Sequence, residues 1–184
     1  MDLGKLTQQL SDTSPAKKMP PVEQWDPPFC GDMNLVIKRS GQWWHEGTPF
    51  TRAKLVSLLS SVLKKEDEKY FLVTPVEKIG IQVEDVPFIV VDWRFEDGAL
   101  MVKTQIGDEV QVGPEHPIEL RLFQADDGSA ETLVPYCRIR RNLWARLHQN
   151  VMYQWAEIAK EAETSDGSEL LMQSKEYEFS LGTF

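Results

Sequence analysis

Side chains able to bind or transform a ligand gather in a few short stretches of this sequence. Arg52 and Lys54 stand at the start of one run of periodic apolar residues, and Arg140 and Arg141 stand just ahead of another. Cations at a helix amino terminus oppose its dipole by roughly 0.3–1 kcal/mol each when exposed, and they become favourable once a bound anion accepts their hydrogen bonds. Alternation along an extended chain places Tyr136, Arg138 and Arg140 on one face, with Cys137 and Ile139 on the other. An aromatic ring among guanidinium groups suits a base or sugar beside phosphate, and it equally suits a tyrosine packed under arginine stems. Glu77, Lys78, Glu84 and Asp85 stand either side of Ile79, Ile81 and Val83. Their plainer reading is a solvated strand face carrying an ion pair, and their functional reading is a connector that closes a binding site through Glu77 and Lys78. Glu115 and His116, in the proline-flanked GPEHP, pair an acid with an imidazole. His116 joins the ligand-binding candidates, although a structural or hydrogen-bonding role is the default for such a histidine.

A hydrolase alternative would draw on Glu84, Asp85, Glu115 and His116, with or without a divalent metal. No serine or cysteine occupies a nucleophile elbow, and no glycine-rich phosphate loop occurs. His45 and His148 lack ligand spacing relative to His116, and Cys30 and Cys137 each stand alone, so neither a zinc motif nor a disulfide framework is indicated. No cofactor is expected.

The elements that must position these residues follow from periodicity. Asn34 to Arg39, a Ser40-Gly41 turn and Gln42 to His45 read as a hairpin, with Gly47-Thr48-Pro49 breaking the ladder. Leu55, Leu58, Leu59, Val62 and Leu63 form the apolar stripe of a helix over about Thr51 to Lys64, with Thr51 available as its cap. Phe71–Val73 and Phe88–Val91, bounded by Pro75 and Pro87, read as strands flanking an alternating connector. Phe88–Phe95, Leu100–Gln105, Ile118–Gln124 and Thr132–Ile139 read as further strands, and Glu176–Leu181 as a last one. Trp144, Leu147, Val151, Trp155 and Ile158 step by three or four, which indicates a helix over about Leu143 to Ala162. Hairpin, helix and strand thus occur in that order twice, over residues 34–73 and 118–181. Leu3, Leu6 and Leu10 could line a short helix, marginal unless it docks. Residues 1–28, with Pro20, Pro21, Pro27 and Pro28, are otherwise expected to form a flexible leader, Trp25 excepted, since an aromatic in such a segment often plugs a neighbouring surface.

At 184 residues and a formal charge of −9, the chain has room for a generous domain or two small halves, and general affinity for nucleic acid or anionic membrane is not expected. Within that acidic whole, residues 33–65 hold six Lys or Arg against one acid, and residues 132–156 hold four Arg and no acid. Both basic regions are hairpin-to-helix units. The apolar stretches fall short of the roughly 18 residues that cross a membrane, and MDLGKLTQQLSD has no signal-peptide core, so a cytoplasmic location is expected.

The strings TPVEKIGIQVEDVPF, WWHEGTPFTRAKLVSLLSSVL and GPEHPIEL, with the closing FSLG, resemble the bacterial family catalogued as domain of unknown function twelve eighty-five, from about Phe29 to Phe179. That resemblance implies a duplicated α+β core divided as 29–85 and 86–184. It further implies a second half like pleckstrin-homology folds, an antiparallel sheet or barrel closed by a helix. With it comes the expectation of a non-catalytic signalling sensor or adaptor, which binds a small anionic, nucleotide-like ligand between its halves and engages a protein partner. Arg52, Lys54, Arg138 and Arg140 would hold the negative groups. A protein-interaction module that uses no small ligand is a further reading.

Overall fold

The computed structural model describes residues 3–13, 19–165 and 167–183. Compactness divides the chain at residue 87, into Met1–Pro87 and Phe88–Phe184.

The first unit contains α1 (Leu3–Thr13), β1 (Phe29–Ile37), β2 (Trp43–His45), β3 (Thr48–Pro49), α2 (Ala53–Ser61), β4 (Leu63–Glu66), β5 (Lys69–Val73) and β6 (Lys78–Val83). Its strands form a single sheet in the order β3-β2-β1-β6-β5-β4, in which β1 and β6 run parallel and the other neighbours antiparallel. The expected hairpin is present, with Leu35 opposite His45 and Ile37 opposite Trp43. Thr48 and Pro49 do not end the ladder: they add a two-residue edge strand, where the missing proline N–H costs no bond.

Helix α2 is shorter at both ends than periodicity implies. Arg52, not Thr51, is its N-cap residue and no side chain caps it. At the other end the Ser60 and Ser61 hydroxyls donate to the Ser57 and Leu58 carbonyls, at 2.8 and 2.6 Å. Such bonds compete with helix continuation, and Leu63, apparently the last member of the helical stripe, instead opens β4. Leu59 still faces the core, with Leu35, Ile37, Leu63, Leu72 and Ile79 all fully or nearly fully buried. Each such side chain contributes about 1.5–3 kcal/mol relative to exposure.

The leader is a correction in part. Leu6 and Leu10 are buried where α1 packs on α2, so docking supplies the stability that an isolated 11-residue helix lacks. Val22 is also buried, in a 3-10 turn, and the Trp25 carbonyl accepts from Lys64 Nζ at 3.4 Å. Ser14, Pro15, Lys17 and Lys18, part of the expected mobile stretch, lie outside the described residues.

The second unit comprises β7 (Phe88–Glu96), β8 (Ala99–Thr104), β9 (Glu109–Gln111), β10 (Ile118–Phe123), β11 (Thr132–Arg140), β12 (Leu143–Leu147), α3 (Gln149–Ile158), β13 (Lys160–Thr164), β14 (Gly167–Ser174) and β15 (Tyr177–Thr183). Six strands form a sheet ordered β10-β11-β12-β7-β8-β9, with β12 parallel to β7, and the last three form a separate antiparallel sheet. The long helix expected over Leu143–Ala162 resolves into strand, helix and strand. Leu143, Ala145 and Leu147 are buried while Trp144 and Arg146 are half-buried, the alternation of a strand hydrogen-bonded on both sides. His148 then caps α3, its Nδ1 accepting from Asn150 N–H at 3.2 Å.

The duplication has a definite structural form. Each unit contains a hairpin, a helix and a three-stranded antiparallel meander in that order: β1-β2, α2 and β4-β5-β6 in one, β11-β12, α3 and β13-β14-β15 in the other. In the first unit the meander joins the hairpin in one sheet; in the second it stands apart. The fold is mostly sheet, with three α-helices among the described residues, and none of these is long and apolar enough to cross a membrane.

The two thiols differ sharply. Cys30 is exposed, whereas Cys137 is buried in β11 and desolvation pushes its pKa up to about 12. A thiol reagent at pH 8 is therefore expected to label Cys30 in the native protein, and Cys137 only after denaturation; rapid labelling of both without denaturant would contradict this. Because the folded-state value is raised, the thiol's contribution to stability is intact below its ordinary value and is lost as pH rises through it toward 12.

Candidate functional site

The face of the first unit's sheet that carries Phe29, Asp32, Phe71, Lys78 and Gly80 holds a cleft of about 830 Å³, within the range of small-ligand pockets. Register places its residues. Asp32 of β1 pairs with Gly80 of β6, which pairs with Phe71 of β5, and one step along Phe29 pairs with Lys78. The Phe29 and Phe71 rings meet edge to face at 6.1 Å, and the Lys78 ammonium lies 5.1 Å from the Phe71 ring centre. Lys78 also bonds Glu66 at 2.9 Å, and Lys64 reaches the same carboxylate at 3.1 Å. The hydrogen bond from Lys78, followed in weight by that from Lys64, holds the Glu66 carboxyl below its ordinary pKa against the opposing effect of burial.

Gly80 has a steric role. A Cβ there would collide with Asp32 Oδ1 and lie 3.6 Å from the Phe29 ring, so the glycine lets the carboxylate rest across the sheet. Most charges lining the cleft are committed: Lys78 to Glu66, Glu68 to Lys65 and Glu84 to Lys38. Asp32 and Lys69 have no ionic or hydrogen-bonding side-chain partner among the described residues. Phe29 is 55% exposed, an aromatic surface open to solvent between them and the buried core.

Of the residues singled out from sequence, Lys78 and Glu84 line this cleft. Arg52 and Lys54 are exposed at the amino end of α2, as expected. Glu77 is half-buried in the turn before β6, where its N–H donates to Thr74 Oγ1 at 3.1 Å.

The remaining candidates belong to the second unit. Arg138 donates twice to the Glu115 carbonyl, at 3.2 and 3.0 Å, and its own carbonyl lies 2.9 Å from His116 Nδ1. These bonds tie the GPEHP loop to β11. Arg140 leaves the face expected for it. A bulge between Arg138 and Arg140 brings it into register with Leu143, where it pairs with Asp108 at 3.1 Å and lies over the Phe88 ring. Burial lowers its pKa against the attraction of Asp108. Nor do Arg140 and Arg141 precede a helix, because the hairpin turn into β12 follows them.

Tyr136 is buried beneath Arg121, which sequence reasoning passed over. The Arg121 guanidinium lies 5.2 Å from the Tyr136 ring centre and 4.0 Å from that of Trp144, and donates to Glu119 at 2.8 Å. Their tyrosine-under-arginine arrangement is thus built largely with Arg121, through the pairing of β10 with β11.

The hydrolase quartet is divided, Glu84 and Asp85 in the first unit and Glu115 and His116 in the second. Glu84 accepts from Lys38 Nζ at 2.8 Å and from Arg39 N–H at 3.0 Å, and the Lys38 bond is the larger cause holding its carboxyl below its ordinary pKa. Among the described residues, no three or more His, Cys, Asp or Glu are grouped to hold a metal ion.

Two sheet-rich α+β units, each carrying a hairpin, a helix and a meander, define the class of protein. Residues 20–86 match the N-terminal domain of the domain of unknown function DUF1285, and residues 87–181 match its C-terminal domain. The chain belongs to the DUF1285 family. It is similar to the crystal structure of a DUF1285 family protein from Silicibacter pomeroyi DSS-3, with 33% identity over 99% of this chain and 95% of that one and a TM-score of 0.81. A second DUF1285 family structure, from Shewanella baltica OS155, shares 32% identity over 67% of this chain and 90% of that one, with a TM-score of 0.51. No curated protein matches the chain.

Proposed function

We propose that this protein is a non-catalytic sensor or adaptor that binds a small nucleotide-like ligand, and that the cleft of the first unit is where the ligand sits. One observation carries the reading: the cleft combines an open aromatic surface at Phe29 with one uncommitted cation, Lys69, and one uncommitted acceptor, Asp32. A flat ring takes the aromatic surface, an anionic group takes the ammonium, and ring donors take the carboxylate. The acid–base candidates Glu84 and His116 are engaged in holding a turn and a loop, which supports binding over turnover. The signalling role, a cytoplasmic location, engagement of a protein partner and a pleckstrin-homology-like character for the second unit belong to the same proposal. What supports the last is the six-stranded sheet followed by α3.

A thermal-shift series with nucleoside mono-, di- and triphosphates tests this. A binding nucleotide at a hundredfold excess over its dissociation constant stabilises the fold by about 2.7 kcal/mol. Lys69→Ala is expected to leave the ligand-free protein as stable as before, since that side chain is exposed, and to weaken binding by about 1.5–3 kcal/mol through loss of a charged hydrogen bond. If no nucleotide moves the wild-type midpoint, the protein-interaction reading replaces this one.

A further inference from the structure

We infer that the cleft selects its ligand by ring edge, and that Asp32 makes it a site for a guanine-type base over an adenine-type one. The inference rests on the nucleotide reading above and adds the identity of the base. A carboxylate can only accept hydrogen bonds, and its two oxygens meet a pair of parallel N–H donors in bidentate fashion. The Watson–Crick edge of guanine offers such a pair, the ring N–H and the adjacent amino group. Adenine places a ring-nitrogen lone pair there, which would face the Asp32 oxygens and be repelled.

The geometry around Asp32 favours this role over that of an incidental surface acid. Its carboxylate is placed over the one strand position without a side chain, Gly80, so it lies across the sheet beside the Phe29 ring. No ionic or hydrogen-bonding partner among the described residues competes for its oxygens. Lys69 stands two strands away and one two-residue step along, opposite Gln82 by the register of β5 on β6. From strand spacing and rise, that separation is about 12 Å between Cα positions. It is comparable to the reach from a purine's ring edge through its ribose to the first phosphates. The base would lie on the exposed Phe29 ring with its donors on Asp32 and its phosphates toward Lys69.

Isothermal titration of the full chain with GDP, ADP and IDP tests the assignment. The wild type is expected to bind GDP at least tenfold more tightly than ADP, with IDP between them because inosine keeps the ring N–H and lacks the amino group. Asp32→Asn should bring GDP and ADP within threefold of each other, because GDP loses its bidentate acceptor while ADP is relieved of the repulsion and binds more tightly than to the wild type. Gly80→Ala, which keeps the charge and displaces the carboxylate, should also erode the preference. Asp32 is exposed, so neither the fold nor the thermal midpoint depends on it. Equal binding of GDP and ADP by the wild type, or a preference that survives in Asp32→Asn, overturns the base assignment and leaves the nucleotide reading standing. Failure of all three nucleotides to bind removes both.

Discussion

Replacing Trp155 by alanine is expected to destabilise the second unit by about 3–5 kcal/mol, a large share of the stability of a domain this size. Trp155 is fully buried on α3, with the Trp93 ring of β7 at 6.4 Å, nearly perpendicular, and the Phe179 ring of β15 at 5.8 Å. Its ring touches a strand of each sheet, so its loss opens a cavity bounded by three elements that cannot all collapse inward. The indole N–H has no hydrogen-bond partner among the described residues, so the side chain acts there through volume and ring contacts. Trp155→Phe should consequently cost far less than Trp155→Ala. Urea unfolding of the three proteins measures this directly. An alanine variant within about 1 kcal/mol of wild type would show that α3 is not the centre of this core.

How much of this arrangement the sequence reveals depends on whether the deciding contact is local. The first hairpin and the strands flanking Glu96-Asp97-Gly98 are legible because alternation and turn residues coincide there; Asp97 and Gly98 indeed take positive φ values of 51° and 77°. Residues 143–158 are misleading for the opposite reason. Trp144, Leu147, Val151 and Trp155 fit a helical stripe, yet Leu143, Ala145 and Leu147 fit a strand equally well. The choice is made by hydrogen bonding of β12 to β11 on one side and β7 on the other, the latter pairing residues fifty-seven positions apart in sequence. Leu63 is ambiguous in the same way, and β4 wins it through pairing with Leu72.

The site divides along the same line. Lys78 stands out from its charge, while Asp32 does not, since its neighbours are ordinary and its importance comes from parallel pairing with Gly80, forty-eight positions on. One signal was available: a glycine inside the apolar run Ile79-Gly80-Ile81, where no turn is required, marks close approach by another group. The arginines show the reverse, prominent in sequence and already engaged in the fold. The bulge that moves Arg140 off the Tyr136 face adds one residue to a strand, a change that alternation alone does not register.

Ser174→Ala is expected to be the second most damaging of these changes, costing about 2–4 kcal/mol although it removes a single oxygen atom. Ser174 is almost fully buried at the end of β14, and its Oγ donates to the Val112 carbonyl at 2.6 Å while accepting from the Leu100 N–H at 3.0 Å. Next to it, Lys175 N–H donates to the Gly98 carbonyl at 2.8 Å, so the turn between β14 and β15 is fastened to the turn between β7 and β8. Alanine would strand a buried donor, because the Leu100 N–H loses the acceptor it has, and would deprive the Val112 carbonyl of its donor. Each such loss costs about 1–3 kcal/mol, well above the roughly 1 kcal/mol net worth of an average hydrogen bond. The exposed Ser129→Ala serves as the comparison and should shift stability by no more than about 0.5 kcal/mol. Hydrogen exchange locates the effect, since the Leu100 amide should lose protection ahead of its neighbours in β8 if the fastening opens locally. If Ser174→Ala unfolds at the wild-type urea midpoint with Leu100 still protected, a water has taken the place of Oγ, and the two sheets of the second unit are held together by the Lys175–Gly98 backbone bond and by side-chain packing without need of the Ser174 hydroxyl.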